Sequence, residues 1–125
     1  MTALWIGLGG MAGALLRFGL DTALSRRTRP GTPGFPLGTL TVNVAGSLLI
    51  GLAAGLLDTS MLAPAAYQAA ATGLAGGLTT FSSWTVATVS LWNEGRRLAA
   101  AVNIAANLVL GCLAAGAGLL AGLAA

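Results

Sequence analysis

The sequence predicts an all-α membrane protein of four transmembrane helices, the third broken near its middle. Three observations carry that prediction. Hydrophobic residues make up 56% of the 125 and charged residues only 7%, with a mean hydropathy of +0.86. A soluble domain of this size needs more charge to cover its surface. Four apolar stretches, about 3–20, 37–57, 65–92 and 98–123, are each long enough to cross about 30 Å of hydrocarbon. Glycine is abundant, at 19 residues, as expected where helices pack through small side chains in lipid.

The first stretch opens MTALWIGLGG with no basic residue before it and runs on to Arg17. It therefore reads as a membrane helix and not as a signal peptide. Its Gly7-x-Gly9-x-x-Ala12 spacing resembles a dinucleotide fingerprint, but a membrane helix has no preceding strand, and Asp21 comes too early. The connection DTALSRRTRPGTPGFP, with three arginines and three prolines, is an exposed loop. The connection DTSMLAP ends in Pro64, which suits the first turn of the third helix because its missing N–H is unpaired there anyway. NEGRR, before the fourth stretch, is shorter still, so 1–125 reads as a single four-helix unit with no soluble domain. Small residues recur four apart at Gly9/Gly13, Gly51/Gly55 and Gly118/Gly122, each pair letting another backbone approach one helix face.

The net charge of +3 comes from six Arg against Asp21, Asp58 and Glu94. Because the arginines flank apolar segments, they report topology and not nucleic-acid binding. Arg26, Arg27, Arg29, Arg96 and Arg97 all fall in the first and third loops, and the opposite side has no Arg or Lys. Those loops are expected in the cytoplasm and both termini outside, in a multi-pass protein of the cell (inner) membrane. There is no His, and Cys112 has neither a disulfide partner nor an activating neighbour, so no enzyme reading survives. A proton-coupled exporter is opposed as well, because every carboxylate lies at a segment end.

Polar residues inside the spans are the candidates for function. Asn43 either makes an interhelical hydrogen bond or lines an ion path with its NH₂ group; alone, the first reading leads. Asn103 and Asn107, four apart on one face, also read first as helix packing. The stretch GGLTTFSSW, residues 76 to 84, differs in kind. Gly76 and Gly77 each weaken a helix by roughly 1 kcal/mol relative to Ala. The neighbouring hydroxyls can satisfy freed backbone groups. Liberated carbonyls would suit a hard cation, and half-helix ends direct dipoles at ions. Phe81 and Trp84 share a face immediately after the break, and the positive edge of an aromatic ring suits a small anion.

Taken together, GGMAGALLR, GTLTVNVAGS and GLAGGLTTFSS resemble the Fluc (CrcB) family of fluoride channels, as do the number and order of the helices. The resemblance implies an antiparallel, inverted dimer with two fluoride pores at the subunit interface, passing F⁻ out of the cytoplasm. It implies that Asn43 and Phe81 lie at the pore, with Trp84 where the family usually has a second Phe. It also implies that Arg17 stands at a vestibule, and that Gly76 and Thr79 offer carbonyls to a structural Na⁺ between subunits. The fourth-helix positions that often carry hydroxyls in the family are Gly111 and Ala115 here, leaving Ser82, Ser83 and Thr85 to supply part of the polar track. The one-sided arginines depart from what an inverted homodimer needs, and they lean toward a heterodimer with an oppositely oriented family member. Under that alternative the chain has reduced or no pore activity of its own.

Overall fold

The structure, a computed structural model, describes residues 1–25 and 34–125. Arg26, Arg27, Arg29, Pro30 and Pro33 of the first loop lie outside the described residues. Helix α1 spans Thr2–Ser25 and α2 spans Leu37–Asp58. The third segment is divided into α3 (Pro64–Gln68), a π-helical stretch Ala69–Ala75, α4 (Gly76–Leu78) and α5 (Phe81–Asn93). Helix α6 spans Arg97–Leu123. The chain is all-helical among the described residues, and three helices are long and apolar enough to cross a membrane: within α1, α2 and α6. Pro64 occupies the first turn of α3, where it withholds no needed donor. Gly95, at φ +77, turns the chain between α5 and α6 in a conformation that a β-carbon disfavours. Helix α1 continues about a turn past its expected end, carrying Arg17 and Asp21 within it.

The helices pack through missing side chains. A β-carbon on Gly51 would meet the Ala115 carbonyl, and one on Gly55 would lie 2.5 Å from the Leu119 carbonyl. From the other side, one on Gly122 would lie 2.6 Å from the Leu52 carbonyl. Helices α2 and α6 therefore run parallel with their backbones in contact. The same device joins α1 to the third segment, where Gly9 faces Ala69 and Gly73 faces Ile6, both with room only for hydrogen. Such close approach lets dispersion contacts hold helices together where no hydrophobic effect separates them from lipid. The large apolar side chains point outward: Leu4, Trp5, Met11, Leu15, Phe18, Leu113 and Leu120 are all exposed. The buried set is instead mostly small or polar, with Val42, Ala75, Ala100 and Asn103 the most enclosed and Leu78 and Leu91 its only larger apolar members among the described residues. That inversion of the usual order suits a chain whose solvent is hydrocarbon.

The glycine pair at 76 and 77 is not where the third segment opens. Gly76 is helical, at φ −63 and ψ −38, and a β-carbon on Gly77 would run into the Gly10 carbonyl of α1. Gly77 is thus a packing glycine. The extended residues are Thr79, at ψ 156, and Thr80, at φ −150 and ψ 117.

Candidate functional site

Two extended residues between α4 and α5 release backbone groups that the helical ladder no longer satisfies. The structure assigns each a partner from another helix. The Thr80 amide, which in an unbroken helix would bond the Gly76 carbonyl, donates instead to Asn43 Oδ1 at 2.8 Å. The Thr80 carbonyl accepts from Asn43 Nδ2 at 3.2 Å, so one primary amide clasps both sides of the residue. Arg17 Nη1 donates to the Thr79 carbonyl at 3.1 Å. Thr80 then caps α5, its Oγ1 accepting from the Ser83 amide at 3.1 Å. The extended residues are thus held by hydrogen bonds from α1 and α2.

Asn43 belongs to a relay of amides. Its Nδ2 also donates to Asn107 Oδ1 at 2.9 Å, and Asn107 Nδ2 donates in turn to Asn103 Oδ1 at 3.2 Å and the Asn103 carbonyl at 3.0 Å. Asn103 Nδ2 donates to Thr88 Oγ1 at 2.9 Å, whose hydroxyl donates to the Trp84 carbonyl at 2.8 Å. Because an amide has a distinct donor end and acceptor end, each member orients the next. Both N–H bonds of Asn43 are thereby engaged within the chain, the interhelical hydrogen bonding that its sequence position suggested first, while the residue also lines a cavity. Asn103 is fully buried, and Asn107 is 8% exposed. The packing contacts of Asn103 and Asn107 and the clasp of Asn43 are here one network.

Two cavities open on opposite sides of Thr80. One, of about 290 Å³, is lined by Asn43, Ser47, Thr79, Phe81, Trp84 and Asn107, among others. The other, of about 200 Å³, is lined by Arg17, Asp21, Thr39, Thr80 and Ser83 together with the apolar Ala14, Phe18 and Val42. Arg17 therefore borders a recess of mixed polarity while bonding the Thr79 carbonyl. Phe81 and Trp84 meet edge to face, with centroids 5.4 Å apart and planes at 79°. The indole N–H of Trp84 donates to the Asn103 carbonyl at 3.2 Å, so what Trp84 offers the cavity is its ring. Phe81 is 72% exposed. Ser82 shares a hydrogen bond with Thr80 Oγ1 at 3.2 Å, and the Thr85 hydroxyl donates back to the Ser82 carbonyl at 2.9 Å. Thr85 and Ser82 line neither cavity. Thr80 and Ser47, not among the expected site residues, do.

Neutral carbonyl oxygens are the donors a hard monovalent cation prefers. The Gly76 carbonyl has lost its helical donor to Asn43, and the Thr79 carbonyl keeps one lone pair beside the Arg17 bond. The pair fits such an ion chemically, although the guanidinium sets a positive charge close by.

Apolar faces turned outward and backbone-to-backbone helix seams, with polar side chains paired between helices, define an integral, multi-pass membrane protein. The chain belongs to the CrcB family: residues 4–119 match the family described as CrcB-like protein, Camphor Resistance (CrcB). It is 52% identical to a protein named fluoride-specific ion channel FluC from Renibacterium salmoninarum, over 95% of this chain and 97% of that one. A protein of the same name from Paracoccus denitrificans is 41% identical over 97% of this chain and 94% of its own. Another, from Sorangium cellulosum, is 43% identical over 90% and 86%.

Proposed function

We propose that this protein is a passive, fluoride-selective channel that lets F⁻ leave the cytoplasm and so lowers its toxicity. It is a channel and not an enzyme. The observation that carries the reading is the 52% identity, across 95% of the chain, to a protein named as a fluoride-specific ion channel. The geometry supports it. The cavity beside the break has no charged side chain in its lining, and aromatic rings and amides surround it. Ring edges there would replace part of the hydration of a small anion without a cation that traps it.

The working unit in this reading is an inverted dimer with its pores between subunits. Support comes from Phe81, whose ring is 72% exposed on a single chain and needs a second surface to become the wall of a pore. Phe81 and Trp84 would line the path, with Asn43 holding the backbone behind it, Ser82 and Thr85 extending the polar side, and Arg17 at the vestibule. The Gly76 and Thr79 carbonyls of two subunits would hold a structural Na⁺, which when bound would tie the two breaks together. A heterodimer in which this chain lacks pore activity is not favoured by relatives that are themselves named as ion channels.

The test is fluoride efflux from liposomes holding this chain alone, with a chloride gradient alongside. Rapid fluoride efflux without chloride efflux is the expected result. A silent preparation that a family member of opposite charge bias revives would return the heterodimer. Silence under both conditions would sink the channel reading.

A further inference from the structure

If the chain conducts fluoride as proposed above, its pore wall needs polar donors, and α6 offers none at Gly111 and Ala115. Helix α2 supplies a hydroxyl opposite Gly111. Ser47 lies one turn beyond Asn43 on α2 and lines the cavity beside the break. A β-carbon built on Gly111 would find a single neighbour within 4 Å, the Ser47 Oγ at 3.4 Å. The missing side chain of Gly111 is therefore not demanded by a neighbouring backbone, as it is at Gly51 or Gly118; it leaves room that Ser47 overhangs.

The hydroxyl of Ser47 makes no hydrogen bond with any described residue. Other hydroxyls on these helices do otherwise: Thr79, Thr85 and Thr88 each donate to the carbonyl four residues back. A hydroxyl at membrane depth without a partner costs free energy unless water or a ligand meets it. The amides around Ser47 have none to spare, since both Asn43 and Asn107 have their N–H groups engaged. We propose that Ser47 is an ion-contacting hydroxyl of this pore, donating to the anion from α2 across the space that Gly111 leaves open.

Three variants test this in the liposome efflux assay, each first checked for wild-type elution in detergent. Ser47→Ala should slow fluoride efflux about tenfold or more, the scale of losing a hydrogen bond to a charged group. Ser47→Thr keeps the hydroxyl and should stay within a few-fold of wild type. Adding Gly111→Ser to Ser47→Ala returns a hydroxyl from the facing helix and should restore most of the rate. Wild-type efflux in Ser47→Ala overturns the inference and leaves the channel reading intact. So does a loss in Ser47→Thr as deep as in Ser47→Ala, or a double variant as slow as the single, because packing and not the hydroxyl would then be responsible. A wild-type chain that passes no fluoride overturns the channel reading and this inference together.

Discussion

Helices α2 and α6 face each other in layers, and the two halves of their seam are built from opposite materials. At one end Asn43 meets Asn107 through an amide–amide hydrogen bond, and Ser47 overhangs Gly111. At the other, Gly51 meets the Ala115 carbonyl and Gly55 meets Leu119, with no side chain between. The glycine half meets backbone to backbone, whereas the asparagine half meets through polar side chains. Only the second half can afford a cavity. In lipid, a tight seam resists displacement because small residues maximise backbone contact. The polar half persists because its amides pair with each other across the two helices. The same two helices thus provide an anchor at one end and a polar lining at the other.

Substitutions at matched layers would sharpen or break this contrast. The largest effect is expected at the tight end, where Gly51→Ala drives a β-carbon into the Ala115 carbonyl. It should cost about 3 kcal/mol, the upper range for overpacking, read as a lowered thermal transition in detergent. A transition unchanged from wild type would mean that the seam yields and is no anchor. At the polar end, Asn43→Leu and Asn107→Leu each leave buried groups without partners, about 1–3 kcal/mol apiece. A double-mutant cycle of the two should return a coupling of about 1 kcal/mol; additive losses would dismantle the relay. The smallest effect is expected from Gly111→Ala, whose new methyl would sit at ordinary contact distance from Ser47. Stability should hold or rise by up to about 1 kcal/mol through helix propensity. Opposite signs for one chemical change at Gly51 and Gly111 would be the clearest mark of a seam with two halves.

A fourth expectation concerns the break, which α1 borders through Arg17. Arg17→Lys keeps the charge but replaces a planar fork with a single mobile ammonium at the Thr79 carbonyl. Fluoride efflux should fall several-fold while elution stays that of wild type. An unaltered rate would show that Thr79 does not need the guanidinium.

Much of the architecture is legible in the residues themselves. The apolar runs, the loop prolines and the four-residue glycine spacing point to membrane helices packed at close range, because hydrocarbon length and backbone approach constrain sequence directly. The polar residues were harder to read. Asn43, Asn103 and Asn107 lie on two helices some 60 residues apart, and no local pattern tells that their amides join into one relay. Gly76 and Gly77 looked like the weak point of the third segment, yet Gly77 serves a contact with Gly10 and the extended residues come after both. Ser47 carried no signal beyond its place one turn after Asn43.

The sequence by itself determined that this chain lives in a membrane, where its helices run, and which residues are polar enough to matter there. Those properties follow from transfer of side chains between water and hydrocarbon, which each residue brings with it. Tertiary structure alone decided where the third segment opens, which donors are already engaged and which hydroxyl is left facing the cavity. A hydrogen bond has a direction and a partner, and in this fold nearly every partner of consequence belongs to another helix.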